Sequence, residues 1–286
     1  MFWRSIRNFS VCILLSAYFR GVNEKTMLSK HNNQTILLFL IASFIAGCGS
    51  TQSATSTPES VAIPPTNSMV PTSTLEHSSP TPNISTYSFP ELVDSTKQYL
   101  FYLHGKIIED QGIPAVSPDY GEYEYQAILE KLSSYGFVVI SEQRVKNTDD
   151  IEYAKRITDQ VTTLLNAGVP ATNITVVGAS KGAGITVYVS YFLGNEAINY
   201  VIMAICHPEN VEAFKRDQIF LYGNVLSIYD STDEFAGSCQ ELFSFSEGKG
   251  ISQYEEVVLN VGTGHGILYK PLDEWITPVI KWAGKP

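Results

Sequence analysis

Gly178-Ala179-Ser180-Lys181-Gly182 places a serine between an apolar run, Ile174-Thr175-Val176-Val177, and a stretch of helical character expected to begin near Gly184. A hydroxyl carried on a sharp strand-to-helix turn is the arrangement that exposes a nucleophile for covalent acyl transfer. Small residues two positions either side fit such a turn, because it crowds neighbouring backbones and a larger side chain would collide. Five residues rich in glycine also occur in ordinary loops, so the chemistry requires a base, an acid and an oxyanion site elsewhere in the chain.

Those parts occur in a telling order. Val225-Leu226-Ser227-Ile228-Tyr229 reads as a buried strand running into Asp230-Ser231-Thr232-Asp233-Glu234, which offers carboxylates just past a strand end. Glu256 to Val261 reads as a further strand, followed by Gly262-Thr263-Gly264-His265-Gly266, a glycine-rich loop that can present an imidazole. Upstream, the β-rich run Gln98 to Leu103 ends in His104-Gly105-Lys106. The order Ser, Asp, His separates this chain from serine hydrolase folds that order their triads otherwise.

With these motifs, the region from about residue 96 to the C-terminus resembles a small member of the α/β-hydrolase superfamily. More narrowly, the segment from Leu103 to Gly112 and the elbow around Ser180 resemble a group of bacterial hydrolases without an assigned substrate. The resemblance implies a doubly wound, mostly parallel α/β sheet, in a minimal version without an obvious lid domain, and no cofactor. It makes Ser180 the nucleophile, His265 the base and then the acid, and Asp233 the residue that fixes the imidazole tautomer. Asp233 is preferred to Asp230 because the family pattern puts a turn-forming residue three positions before the acid. The oxyanion donors are then the backbone N–H groups of Lys106 and Lys181.

Other residues near the expected site carry two readings. His104 either props its loop or faces substrate. Arg144 either clamps a substrate carboxylate or phosphate, with Glu109 beside it, or pairs with Glu109 or Glu142 to stiffen the loop. The Lys181 side chain either sets a positive charge beside the site or snorkels from the first helical turn. His207, followed by Pro208, reads as a helix-entry residue outside the triad.

The elements that must position these groups alternate. Tyr123 to Tyr135 is helical in pattern and Phe137 to Ile140 is a buried strand. Ile151, Ala154, Ile157, Val161 and Leu164 mark an amphipathic helix that Gly168 closes. A helix after the elbow, a strand from Tyr200 to Ile205, the two strands before the acid and the base, and a helix from Leu272 to Trp282 complete a βα series. The two antiparallel strands that open larger hydrolases are hard to find, and an edge strand is expected around Tyr87. No spacing suits a metal site.

Composition changes abruptly before this region. Residues 50–95 are dominated by Ser, Thr and Pro, the signature of an extended tether. Ahead of them, Ile36 to Ile45 is an apolar run too short to span a bilayer comfortably, and it ends in Ile45-Ala46-Gly47-Cys48, which resembles a bacterial lipobox. The expected organisation is a leader over 1–47 with translation beginning at Met27, a lipidated Cys48 and linker over 48–95, and a catalytic domain over 96–286. The alternative is a signal anchor with an incidental cysteine.

The chain holds 19 basic and 29 acidic residues; removing the leader leaves 14 against 28, a net charge of −14, which argues against nucleic acid as a partner. Of four cysteines, Cys206 and Cys239 remain once Cys12 is removed and Cys48 is acylated. Neighbouring strand ends and an oxidising compartment would allow a disulfide, and two buried thiols stay open as the alternative.

The expectation is a monomeric lipoprotein on the periplasmic face of the bacterial envelope that cleaves an ester or thioester of a small-molecule or lipid-like acyl substrate. Ser180 at the elbow speaks against dehalogenase or epoxide hydrolase chemistry, which would want a carboxylate there. A peptidase or thioesterase is the near rival, and a binding or tethering lipoprotein that kept the fold without the chemistry is the distant one.

Overall fold

The computed structural model describes residues 87–284. The leader, Cys48 and most of the linker lie outside the described residues.

Six strands form one wholly parallel sheet: β1 (Tyr99–Leu103), β4 (Val138–Ile140), β5 (Ile174–Ala179), β6 (Asn199–Met203), β7 (Gly223–Asp230) and β8 (Ile251–Leu259). Their order is β4-β1-β5-β6-β7-β8. The chain winds outward from β1 first to one side and then, from β5, to the other. Beside β1, strand order therefore reverses, and a crevice opens at the carboxyl ends of β1 and β5, where doubly wound folds bind ligands.

Parallel strands covered on both faces read as continuous apolar runs, and β1 and β5 are buried at every position. Alternation divides their side chains. Tyr99, Phe101 and Leu103 pack with α3 (Asp150–Asn166), α4 (Lys181–Leu193), α5 (Pro208–Arg216) and α6 (Gln240–Ser246). Leu100 and Tyr102 pack on the other face with α1 (Lys106–Gln111), α2 (Tyr125–Ser133) and α7 (Asp273–Ala283). The indole rings of Trp275 and Trp282 fill the second face. The doubly wound α/β class expected from the alternation is the class observed.

Several boundaries differ from expectation. Helix α4 begins at Lys181, immediately after the serine, and not near Gly184 as expected. Its Ile, Thr and Val residues are poor helix formers, yet α4 lies against β1, β5 and β6, and that packing overrides propensity. Strand β8 starts at Ile251 rather than Glu256; exposed Ser252, Gln253 and Glu255 hide the strand pattern of its first half. No strand forms around Tyr87 among the described residues; its carbonyl accepts one N–H, from Ser141 at 2.8 Å. A small antiparallel pair, β2 (Val116–Ser117) with β3 (Gly121–Glu122), was not foreseen.

Cys206 and Cys239 are bonded, with Cα atoms 5.2 Å apart, joining the end of β6 to the start of α6. Among the described residues no helix is long and apolar enough to cross a membrane.

Candidate active site

Ser180 sits where β5 turns into α4, with φ 53° and ψ −119°. A non-glycine residue in this region stores roughly 1–3 kcal/mol of strain, which the surroundings must sustain. They do so by close packing and by a hydrogen bond from the Ser180 N–H to the Met203 carbonyl at 2.9 Å. A Cβ on Gly178 would stand 2.2 Å from the Gly182 oxygen, and one on Gly182 would stand 1.9 Å from the Leu103 oxygen. Both glycines are therefore dictated by backbone meeting backbone, Gly178 against α4 and Gly182 against the end of β1.

His265 comes from the short 3-10 turn Gly264–Tyr269 that follows β8. Its Nδ1 lies 2.8 Å from Oδ2 of Asp233. A carboxylate that accepts a hydrogen bond from Nδ1–H fixes the tautomer that leaves the Nε2 lone pair for a neighbouring hydroxyl. The Asp233 side chain is fully buried and its second oxygen accepts the Phe235 N–H at 2.9 Å. The Phe235 ring meets the imidazole edge-on, with centroids 5.6 Å apart.

Asp230 has a different task. Its Oδ1 accepts the N–H and hydroxyl of Thr232, and its Oδ2 accepts the N–H groups of Val261 and Gly262. Burial pushes this carboxyl up, but the four donors outweigh it and hold its pKa below the usual value. The loop bearing Asp233 and the loop leading to His265 are thus tied through one carboxylate.

Ser180 and His265 line two cavities together. The larger, a groove of about 620 Å³, has a mostly apolar wall that includes Tyr188, Ile205, Ala213, Phe214 and Phe235. The smaller, about 170 Å³, lies towards Ile107, Tyr123, Leu268 and Tyr269. None of these wall residues was singled out from the sequence. Asn210, Ala213 and Phe214 share one helical face, as do Gly184 and Tyr188, but which face looks onto the serine depends on strand order.

Lys106 and Lys181 are the first residues of α1 and α4, so neither N–H can bond within its own helix. Both residues line the groove beside Ser180.

The expectation that His104, Glu109 or Arg144 receives a substrate group is corrected by burial. Glu109 and Arg144 have fully buried side chains and pair at 3.2 Å, and His104 is wholly covered. The Arg144 N–H donates to His104 Nε2 at 2.9 Å, and Arg144 Nη2 donates to the His104 carbonyl. With Nε2 accepting, the ring proton is on Nδ1, which donates to the Gly105 carbonyl at 2.8 Å. Burial, and then the neighbouring guanidinium, push the imidazole down to about 3, so it stays neutral. These residues form the floor under the elbow. Lys181 belongs to the same cluster, with Nζ 2.7 Å from Glu109 Oε1. His207 caps α5, as its neighbour Pro208 suggested.

No group of histidine, cysteine or carboxylate side chains suited to a metal ion occurs among the described residues. No protein-family model and no curated protein matches the chain. Among solved structures, SOBER1 of Arabidopsis thaliana is similar at 13% identity, covering 65% of this chain and 97% of its own, with a TM-score of 0.44. A predicted CIB-like hydrolase from Thermoplasma acidophilum is similar at 16% identity, covering 66% and 87%, with a TM-score of 0.44. A hyperthermophilic esterase from Pyrobaculum calidifontis is similar at 15% identity, covering 68% and 78%, with a TM-score of 0.44. Likeness this distant leaves the chemistry of the site to its own residues.

Proposed function

We propose that the chain is a serine hydrolase that cleaves carboxylic esters through an acyl-enzyme on Ser180. The observation that carries this reading is the 2.8 Å contact between Asp233 and His265, in a site whose cavities His265 shares with a serine held at positive φ. In the first half-reaction His265 Nε2 takes the hydroxyl proton as Ser180 Oγ bonds to the carbonyl carbon. The imidazolium, stabilised by Asp233, then protonates the departing alkoxide as its bond to carbon breaks. Water repeats the sequence on the acyl-enzyme and returns the proton to Ser180. The N–H groups of Lys106 and Lys181, free at the starts of their helices, are the donors for the oxyanion.

An apolar groove with a few polar groups at the reacting end suits a small-molecule ester. We further propose that acylated Cys48 tethers the domain to the bacterial envelope, on the strength of Ile45-Ala46-Gly47-Cys48 and the Ser/Thr/Pro-rich stretch after it. Incorporation of labelled palmitate that Cys48→Ala abolishes is the expected outcome; unchanged incorporation removes the anchor.

A fluorophosphonate probe tests the enzyme reading, because only an activated serine reacts. Labelling of the wild-type protein that Ser180→Ala and His265→Ala each abolish is expected. Wild-type protein that stays unlabelled, and fails to turn over a panel of p-nitrophenyl esters, would sink it.

A further inference from the structure

We infer that Lys181 and Glu109 are positioning residues which hold the two oxyanion donors at their working separation; this rests on the serine hydrolase reading above. The two N–H groups belong to different helices, so their spacing is set by whatever ties the start of α1 to the start of α4. Helix α1 cannot hold itself firmly: it has six residues and its N-cap, Gly105, has no side chain to bond the first turn.

The tie is made by side chains. Glu109 lies in the first turn of α1, and its Oε1 accepts from Lys181 Nζ at 2.7 Å and from the Thr148 N–H at 3.0 Å. Its Oε2 accepts from Arg144 Nε at 3.2 Å, and Arg144 in turn grips both the ring and the carbonyl of His104, two residues before Lys106. The same residue, Lys181, therefore carries one donor on its backbone and anchors the helix of the other donor with its side chain.

The ammonium is held by groups of the protein. Besides its hydrogen bond to Glu109, Nζ donates to the Thr148 carbonyl at 2.7 Å and forms an ion pair with Asp150 Oδ1 at 3.1 Å. It is 15% exposed, so the pair is shielded and holds its geometry better than a surface ion pair would. A long basic side chain is required here because the stem must span from the first turn of α4 to the first turn of α1 and end in several donors.

The test compares Lys181→Met, Lys181→Arg and Glu109→Gln with wild type. It reads the rate of fluorophosphonate labelling, kcat and KM for p-nitrophenyl butyrate, the affinity of a trifluoromethyl ketone, and Tm. Outright loss of an oxyanion donor costs about 10²–10³ in kcat, so a displaced donor should cost roughly 10- to 100-fold. For Lys181→Met, labelling rate, kcat and ketone affinity should fall together by that factor while KM stays within about twofold, as for interactions made only in the transition state. Lys181→Arg, which can still reach the carboxylate, should restore most of the loss.

Wild-type kinetics in Lys181→Met would overturn the inference, as would a rise in KM at constant kcat or a failure of arginine to rescue. Should Glu109→Gln not fold, Lys181→Met decides alone, because Glu109 then keeps Arg144. A wild-type protein that never labels defeats the serine hydrolase reading and this inference with it. Wild type that labels, with Lys181→Met its equal, defeats only this one.

Discussion

The carboxylate of Asp230 accepts the N–H of Val261 at 2.8 Å, across 31 residues of chain, while its other oxygen turns the backbone towards Asp233. One side chain thus ties the loop of Asp233 to the loop that leads to His265. Asp230 and Asp233 should therefore separate by assay. Asp233→Asn is expected to leave Tm nearly unchanged and to lower kcat by about 10⁴-fold, since the wrong tautomer is then favoured. Asp230→Asn leaves two part-buried N–H donors without an acceptor and should cost about 2 kcal/mol in urea denaturation. Equal effects on stability would count against this division of labour.

Stability should fall as pH drops below the ordinary histidine range. His104 has a folded pKa pushed to about 3, so between that value and the unfolded value near 6.5 the unfolded chain binds more protons. The native state then loses about 1.4 kcal/mol per pH unit from this one group as pH falls through the window. Asp230 and Glu109, both held below the ordinary carboxylate range in the fold, add to the loss once pH falls below about 4.5. Denaturation series at pH 6.5 and 4.5 on wild type and His104→Asn provide the check: the variant should show a slope smaller by one proton.

Gly182→Ala should abolish folding or cost at least about 4 kcal/mol, because its new methyl would enter the Leu103 carbonyl and neither backbone can retreat. Gly105→Ala is the control, since its Cβ meets nothing nearer than 3.7 Å. Soluble yield and Tm of the pair decide the matter.

Replacing Cys206 and Cys239 by alanine should cost about 4 kcal/mol on a chain-entropy estimate for the loop between them, whose ends are 33 residues apart. That loop includes Asp233 and Phe235, so activity should become sensitive to temperature well below the new Tm. Identical thermal inactivation with and without the bond would contradict this.

Ala213→Trp should narrow the large groove without touching the small cavity. Esters that are bulky on one side are expected to lose at least tenfold in kcat/KM, while p-nitrophenyl acetate changes little. A uniform loss across the panel would show that the groove does not select substrate.

The amino-acid sequence alone determined the alternation of elements, the glycine-flanked serine, the order in which serine, carboxylates and imidazole occur, and the capping role of His207. Each is a local pattern: a period, a turn composition or a spacing. It could not decide whether Arg144 faced a substrate or Glu109, nor whether Cys206 met Cys239, because such partners come from segments far apart in the chain. It also missed that Lys181 reaches Glu109 across 72 residues, and that Tyr188, Phe214 and Phe235 line one groove. Those relationships exist only once β1 and β5 lie side by side, in a sheet whose strand order differs from chain order. Burial then removes the freedom of each charged group to choose water, and so fixes its partner.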